Sequence, residues 1–215
     1  MSETRSPRKC RAISAAALVG AALLLLGGPA TASAGGEAEQ PTDCAEEAAL
    51  RIQAYYQGVR DLSAEFSQST QNVLSGSLAG EEVPARGRVI FAKPGRMRWV
   101  YESPEPSLVV SDGETLWIYD PTAKEVQVLS VDSGFLSGTA IQFLLGEGRI
   151  LESFFVSAES CEGEEISLDL QPRQLATYQR LKLRVDRASG AVLATAVVDL
   201  FGNRTEVVFG KVQRN

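Results

Sequence analysis

The chain has 215 residues and is acidic, with 21 Lys and Arg against 27 Asp and Glu and a formal net charge of −6. That balance repels phosphate and argues against nucleic acid as a partner. It contains no histidine, which excludes a Ser-His-Asp triad, a Cys-His pair and imidazole-ligated zinc.

Residues 1–34 read as a Sec-type signal peptide. Arg5, Arg8, Lys9 and Arg11 form a basic head, Ile13 to Leu26 is an apolar run, and Gly27, Gly28 and Pro29 break it before the small-residue site Ala32-Ser33-Ala34. The run is shorter than the roughly 20 residues that span a bilayer, so cleavage near Ala34 is expected rather than an uncleaved anchor. No Cys follows at that point, so the chain is not expected to be a lipoprotein itself, and the location expected is the periplasm. Without the four basic and one acidic residues of the signal, 17 Lys and Arg face 26 Asp and Glu, a net charge of −9.

Residues 35–42 are polar and read as a disordered lead-in, and 43–215 as one domain. Asp43 is placed as an N-cap with Glu46 three residues on. Ala45, Ala48, Ile52, Tyr55 and Val59 then follow at helical spacing, with Ala49 and Tyr56 widening the stripe, and the helix is expected to stop near Gly58. Asp61 to Val73 opens the extended region, Gly76 to Glu82 reads as a loop, and Gly87 to Ala92 as a strand. Phe91 to Pro121 reads as three strands joined by tight turns. Lys93-Pro94-Gly95-Arg96 suits a type II turn, and Asp112-Gly113 suits a two-residue hairpin with positive φ at both positions. Met97, Trp99 and Tyr101 share one face of their strand and Arg96 and Arg98 the other.

Val126, Val128 and Val131 suggest a further strand. Thr139 to Leu145 reads as a short helix, with Ile141, Leu144 and Leu145 on one face and Gly146 to end it. Phe154–Val156 gives a weak strand signal. Ile166/Leu168/Leu170, Leu181/Leu183/Val185, Val192/Ala194/Ala196/Val198 and Thr205/Val207/Phe209 alternate. Strands that follow one another without intervening helices indicate a mainly β (α+β) antiparallel meander of about ten strands, long enough to curl.

Cys10 leaves with the signal. Cys44 and Cys161 remain, and in an oxidising compartment they suit a disulfide, worth roughly 4–5 kcal/mol in the entropic treatment of so long a loop. Two unrelated thiols are the alternative.

No catalytic constellation, cofactor site or metal site is legible. Glu46-Glu47, Glu81-Glu82 and Glu164-Glu165 read as solvated charge, and Gly146-Glu147-Gly148 lacks the third glycine of a dinucleotide site. What remains is apolar surface on neighbouring hairpins: Phe91, Met97, Trp99, Tyr101, Trp117 and Tyr119, with Phe66 before them. The pattern leaves open whether these fill an ordinary core or line a cavity for a lipid chain. It also leaves open whether Arg86, Arg88, Lys93, Arg96 and Arg98 form a solvated face or contact a partner or an anionic head group.

Lys93-Pro-Gly-Arg-Met-Arg-Trp99 followed by Val110-Ser-Asp-Gly-Glu-Thr-Leu-Trp-Ile-Tyr-Asp-Pro121 resembles the LolA-type periplasmic lipoprotein carriers. The likeness extends to Asp61-Leu-Ser-Ala-Glu-Phe-Ser-Gln68 and Asp199-Leu-Phe-Gly-Asn-Arg-Thr205. It implies an incomplete, strongly curved antiparallel β-barrel of 10–11 strands capped by short helices. The implied function is a monomeric, non-enzymatic carrier without cofactor. It would take the acyl chains of lipoproteins from an ATP-driven (ABC-type) inner-membrane exporter and pass them to the outer membrane through a receptor. The implied lipid cavity comprises Phe66, Phe91, Met97, Trp99, Tyr101, Trp117, Tyr119, Ile141, Leu144 and Leu145. Family members often carry a basic residue before the Pro of the turn that latches lid carbonyls, which places Lys93, with Arg96 beside it, at the latch or a partner contact. Lysine lacks the planar fork of arginine. Members usually continue into a further strand after the one holding Phe209, so an open edge is expected there. A periplasmic sensor or interaction module of the same half-barrel fold is the second reading.

Overall fold

The computed structural model describes residues 43–73, 83–131 and 148–214. The expected signal peptide, the lead-in, the Gly76–Glu82 loop and the short helix carrying Ile141, Leu144 and Leu145 lie outside the described residues.

The first element is α1 (Cys44–Gln57), and its start follows from local chemistry. The Asp43 carboxylate accepts from the Ala45 amide at 3.3 Å, and Glu46 and Glu47 sit in the first turn, where the helix dipole favours negative charge. Gly58 is the C-cap. The buried stripe is Ala45, Ala48, Ala49, Ile52 and Tyr56. Three alanines in that stripe let the helix lie close to whatever it covers.

The strands are β1 (Asp61–Gln71), β2 (Ala85–Ala92), β3 (Arg96–Ser103), β4 (Ser107–Ser111), β5 (Thr115–Asp120) and β6 (Glu125–Ser130). After the one-turn helix α2 (Ile150–Ser153) come β7 (Phe154–Ser160), β8 (Glu165–Pro172), β9 (Tyr178–Asp186), β10 (Val192–Asp199) and β11 (Arg204–Arg214). They make one open, curved, antiparallel sheet of eleven strands in the order β6-β5-β4-β3-β2-β1-β11-β10-β9-β8-β7. Two meanders are thus joined at their first and last strands. The register there pairs Phe66 with Phe209 and Gln68 with Val207. The expected open edge at the last strand is corrected by this topology. Strand β11 is hydrogen-bonded on both sides, to β1 and β10, and the ends of the described sheet are β6 and β7.

The alternation of side chains gives the sheet an inner face, on which α1 lies, and an outer face. Leu62, Ala64 and Phe66, then Gly87, Val89 and Phe91, then Met97 and Trp99 point inward and are buried, while Arg86, Arg88, Arg96 and Arg98 point outward. In the second meander Ile166, Leu168, Leu170, Leu181, Leu183 and Val185 are buried. Each such aliphatic side chain contributes about 1.5–3 kcal/mol when removed from water. The alternation expected for β10 breaks once. A register shift between Val192 and Ala194 leaves Val192 opposite Val185 but sets Ala194 opposite Arg184 and Ala196 opposite Lys182. Thr195 and Val197, opposite Leu183 and Leu181, therefore take the inner positions.

The turns differ from expectation in detail. Gly95 has φ +60°, as its turn requires, and the Lys93–Pro94 peptide is cis. Gly113 has φ +106° but Asp112 does not share a positive φ. Its carboxylate instead accepts from the amides of Thr115 at 2.8 Å and Glu114 at 2.9 Å, which holds its pKa below the ordinary aspartate range. The Asp112 amide donates to the Thr115 carbonyl at 3.3 Å and Ser111 pairs with Leu116, so the hairpin's two loop residues are Gly113 and Glu114, one position later than expected, with Asp112 forming an Asx turn at their start.

Candidate functional site

The inner face of β1, β2, β3 and β11 gathers aromatic rings from four strands. Phe66 lies 4.8 Å from Trp99 and 5.1 Å from Tyr101 between ring centroids. Phe91 and Phe209 approach Trp99 edge-on at 6.0 Å and 6.5 Å, and Tyr101 stacks beside it at 6.3 Å. These separations fall in the range where aromatic pairs attract beyond their buried area. Met97 is buried on the same face. Gly87 makes the close approach possible: a Cβ there would sit 1.8 Å from the Val100 carbonyl oxygen and 3.0 Å from Phe66 Cε1.

Of the residues expected to line a cavity, Phe66, Phe91, Met97, Trp99 and Tyr101 come together here. Trp117 and Tyr119 do not. In β5 the residues paired with inner-face Ser111 and Val109 are Leu116 and Ile118, whereas Trp117 is opposite Val110 and Tyr119 opposite Leu108. Val110 in turn faces Arg98 across β3, so Trp117 and Tyr119 belong to the outer face. They continue there into Val126 and Val128, which are 54% and 60% exposed. The pairing of Ser111 with Leu116 fixes the face of β5, and period-two alternation then turns Trp117 and Tyr119 outward. Leu116, Ile118, Val109 and Phe209, which the sequence did not single out, join the inner apolar set.

Helix α1 crosses this face with both ends fastened. At its start Cys44 is disulfide-bonded to Cys161, just beyond β7, with the two Cα atoms 6.3 Å apart. Arg51 donates to the Arg187 carbonyl at 2.6 Å, and the backbone at Gly190 touches that of Arg51 so closely that a Cβ would lie 2.7 Å from its oxygen. Tyr56 accepts through its hydroxyl from the Val192 amide at 3.2 Å. Burial raises the pKa of that phenol well above the ordinary tyrosine range. At the far end Lys93, from the β2–β3 turn, donates its ammonium to the Tyr56 carbonyl at 2.6 Å and to the Gln57 carbonyl at 3.4 Å. These are the last carbonyls of a helix whose final turn carries no basic residue, so the ammonium also meets the negative end of the dipole. Arg96 is exposed, and its guanidinium donates to the Lys93 carbonyl at 3.4 Å.

Between α1 and the aromatic face, Tyr56, Leu62, Phe91, Val192, Phe209 and Val212 enclose a void of about 10 Å³. That is room for about one water-sized probe and far less than a hydrocarbon chain needs. Wider depressions of about 460 Å³ and 380 Å³ lie on the outer face. Arg88, Arg98, Lys211 and Glu65 line the first, and Lys182, Arg184, Glu159 and Glu206 the second. The first mixes these charged residues with Ile90, Val89 and Val100, and the second is the more polar of the two. Polar groups on the inner face are few. The Tyr101 hydroxyl donates to Gln68 Oε1 at 2.9 Å, and burial raises its pKa.

Residues 57–215 match the family described as outer membrane lipoprotein carrier protein LolA. The outer-membrane lipoprotein carrier protein of Chromobacterium violaceum is 30% identical over 169 residues, covering 78% of this chain and 78% of its own length. That of Dechloromonas aromatica is 31% identical over 166 residues, covering 77% and 76%. A solved LolA superfamily protein from Nitrosomonas europaea has a TM-score of 0.43 and 12% identity, over 78% of this chain and 93% of that one. The chain belongs to the LolA family of outer membrane lipoprotein carrier proteins.

Proposed function

We propose that the protein is a periplasmic carrier that holds the acyl chains of lipoproteins against the inner face of its sheet. It would receive them from an ATP-driven exporter in the inner membrane and release them toward the outer membrane. The observation that carries this reading is the continuous apolar set Phe66, Phe91, Met97, Trp99, Tyr101 and Phe209 on the face that α1 covers, with Lys93 fastening the end of that helix. The names of the relatives from Chromobacterium violaceum and Dechloromonas aromatica support it.

The physics favours a closed, empty state that opens for cargo. Each buried CH₂ of an acyl chain contributes about 0.8 kcal/mol. Several long chains fully buried in a ready-made cavity would therefore exceed the ceiling of about 18–21 kcal/mol that non-covalent complexes reach, and would not be released. Among the described residues, the void of about 10 Å³ beneath α1 is no such cavity. Lipid must displace protein contacts on the inner face, and their loss offsets most of the gain. Binding then becomes moderate and reversible, as a shuttle requires. In this proposal Lys93 is the releasable fastening of α1 and the disulfide the permanent one. The apolar residues Ile141, Leu144 and Leu145, outside the described residues, complete the lipid-contacting set.

The test is release of lipoprotein. Purified mature protein added to spheroplasts should appear in the supernatant bound one-to-one to acylated lipoprotein. Failure to solubilise any lipoprotein, together with no binding of synthetic acylated peptide, overturns the reading.

A further inference from the structure

The inner face is apolar but not without direction. The Trp99 side chain is only 8% exposed, and its indole Nε1–H is buried with no hydrogen-bond partner. A buried donor in this state is uncommon, because native proteins pair nearly all such groups. Two residues along the same strand and on the same face, the Tyr101 hydroxyl has spent its proton on Gln68 Oε1. Gln68 therefore keeps its amide NH₂ unpaired among the described residues. Among the described residues, the buried side-chain group of the aromatic face left without a partner is an N–H donor.

We infer that Trp99 Nε1–H, with the Gln68 amide beside it, is a recognition point for the carbonyl of an acyl ester, fixing how deep the fatty chains enter. This rests on the proposal that acyl chains lie on this face. An ester carbonyl is an acceptor with no proton to offer, so it complements the unpaired indole donor. A hydrocarbon chain can lie along Phe66 and Phe209 in any register. A carbonyl docked on Trp99 sets one register, with the chain running over the rings and the polar backbone of the lipid left outside. The pairing also gives the loaded state something the empty state lacks. The indole N–H goes without a partner when the face is closed and gains one only when a carbonyl arrives, so the interaction favours cargo over collapse.

The test compares a dipalmitoyl glycerol ester with the dihexadecyl glycerol ether, which has the same chain length but no carbonyls. Each is titrated into the full mature protein and into Trp99→Phe, which keeps a ring and removes the donor. Wild type should prefer the ester over the ether by about tenfold, as one hydrogen bond to a buried donor allows. In Trp99→Phe that preference should fall to near unity. A measurement on wild type covers the case in which the variant misfolds. The chain has two tryptophans, and the indole proton resonance assigned to Trp99 should move downfield with ester and not with ether. Equal ester-to-ether ratios in the two proteins, or an indole resonance indifferent to the carbonyl, overturn the inference while leaving lipid binding intact. No binding of either lipid by wild type overturns it together with the carrier reading.

Discussion

Replacing Lys93 by Met removes one ammonium and keeps the length of the side chain. The bond lost is charge-assisted, 2.6 Å to the Tyr56 carbonyl with a weaker one to Gln57. Bonds to charged groups contribute about 1.5–3 kcal/mol, and a cation at a helix C-terminus adds about 0.3–1 kcal/mol. Lys93 is half-buried, and solvent screening reduces both contributions. A net loss of about 1–2 kcal/mol follows. The backbone bond from the Lys93 amide to the Arg60 carbonyl at 2.9 Å is untouched, so the turn itself should persist. Thermal unfolding should show the melting temperature lowered by about 2–8 °C. If lipid entry requires the end of α1 to lift, the same 1–2 kcal/mol disappears from the opening step, and affinity for acylated peptide should rise about five- to thirtyfold. Lys93→Arg should keep stability and affinity near wild type. A lower melting temperature with unchanged affinity would refute the latch and leave Lys93 as a helix cap. No change in either would show that the bond contributes nothing.

Because Trp99 and Trp117 occupy opposite faces, acylated peptide should shift the emission of the Trp117→Phe variant, which reports Trp99, and leave that of Trp99→Phe nearly constant. Gly87→Ala forces a methyl group within 1.8 Å of the Val100 oxygen and should cost about 3 kcal/mol or more in urea unfolding. Reduction of Cys44–Cys161, which closes a separation of 117 residues, should lower stability by up to about 4–5 kcal/mol, whereas Cys44→Ser protein should be equally stable under oxidising and reducing conditions. Tyr101 is held protonated by burial, its pKa raised above the ordinary tyrosine value. Its contribution is therefore fully present below about pH 10, where the unfolded chain begins to ionise, and is lost as pH climbs toward the raised folded value, by about 1.4 kcal/mol per pH unit. Chemical denaturation from pH 9 to 11.5 should show a shallower fall for Tyr101→Phe than for wild type.

The inner set on β1 to β3 was readable because period-two alternation is local: Phe66, Phe91, Met97, Trp99 and Tyr101 each carry their face in their own strand. The N-cap at Asp43 and the end of α1 at Gly58 were readable for the same reason, being matters of a few neighbouring residues. Trp117 and Tyr119 lie on the outer face because β5 alternates in step with β4, Leu116 pairing with inner-face Ser111 and Ile118 with Val109; their size and apolarity suggested the inner face, and size does not set a strand's parity. The shift in β10 is different in kind, since one extra residue after Val192 exchanges inner and outer positions without any special residue to announce it. The place of β11 between β1 and β10 is a long-range pairing that no strand encodes by itself, so neither Phe209 beside Phe66 nor the absence of an edge there could be read in advance. The void of about 10 Å³ is likewise a property of assembled packing: composition supplied the apolar surface but could not say how tightly it closes.

The account depends above all on which face of the sheet meets hydrocarbon. A synthetic triacylated peptide with a diazirine near the middle of one acyl chain, photolysed in complex with the mature protein and mapped residue by residue by mass spectrometry, decides it. Cross-links on Phe66, Met97, Trp99 and Phe209, with Trp117, Val126 and Val128 unlabelled, are the result expected. Labelling of Trp117, Val126 and Val128 with the inner residues spared would place the lipid on the outer face and contradict the account.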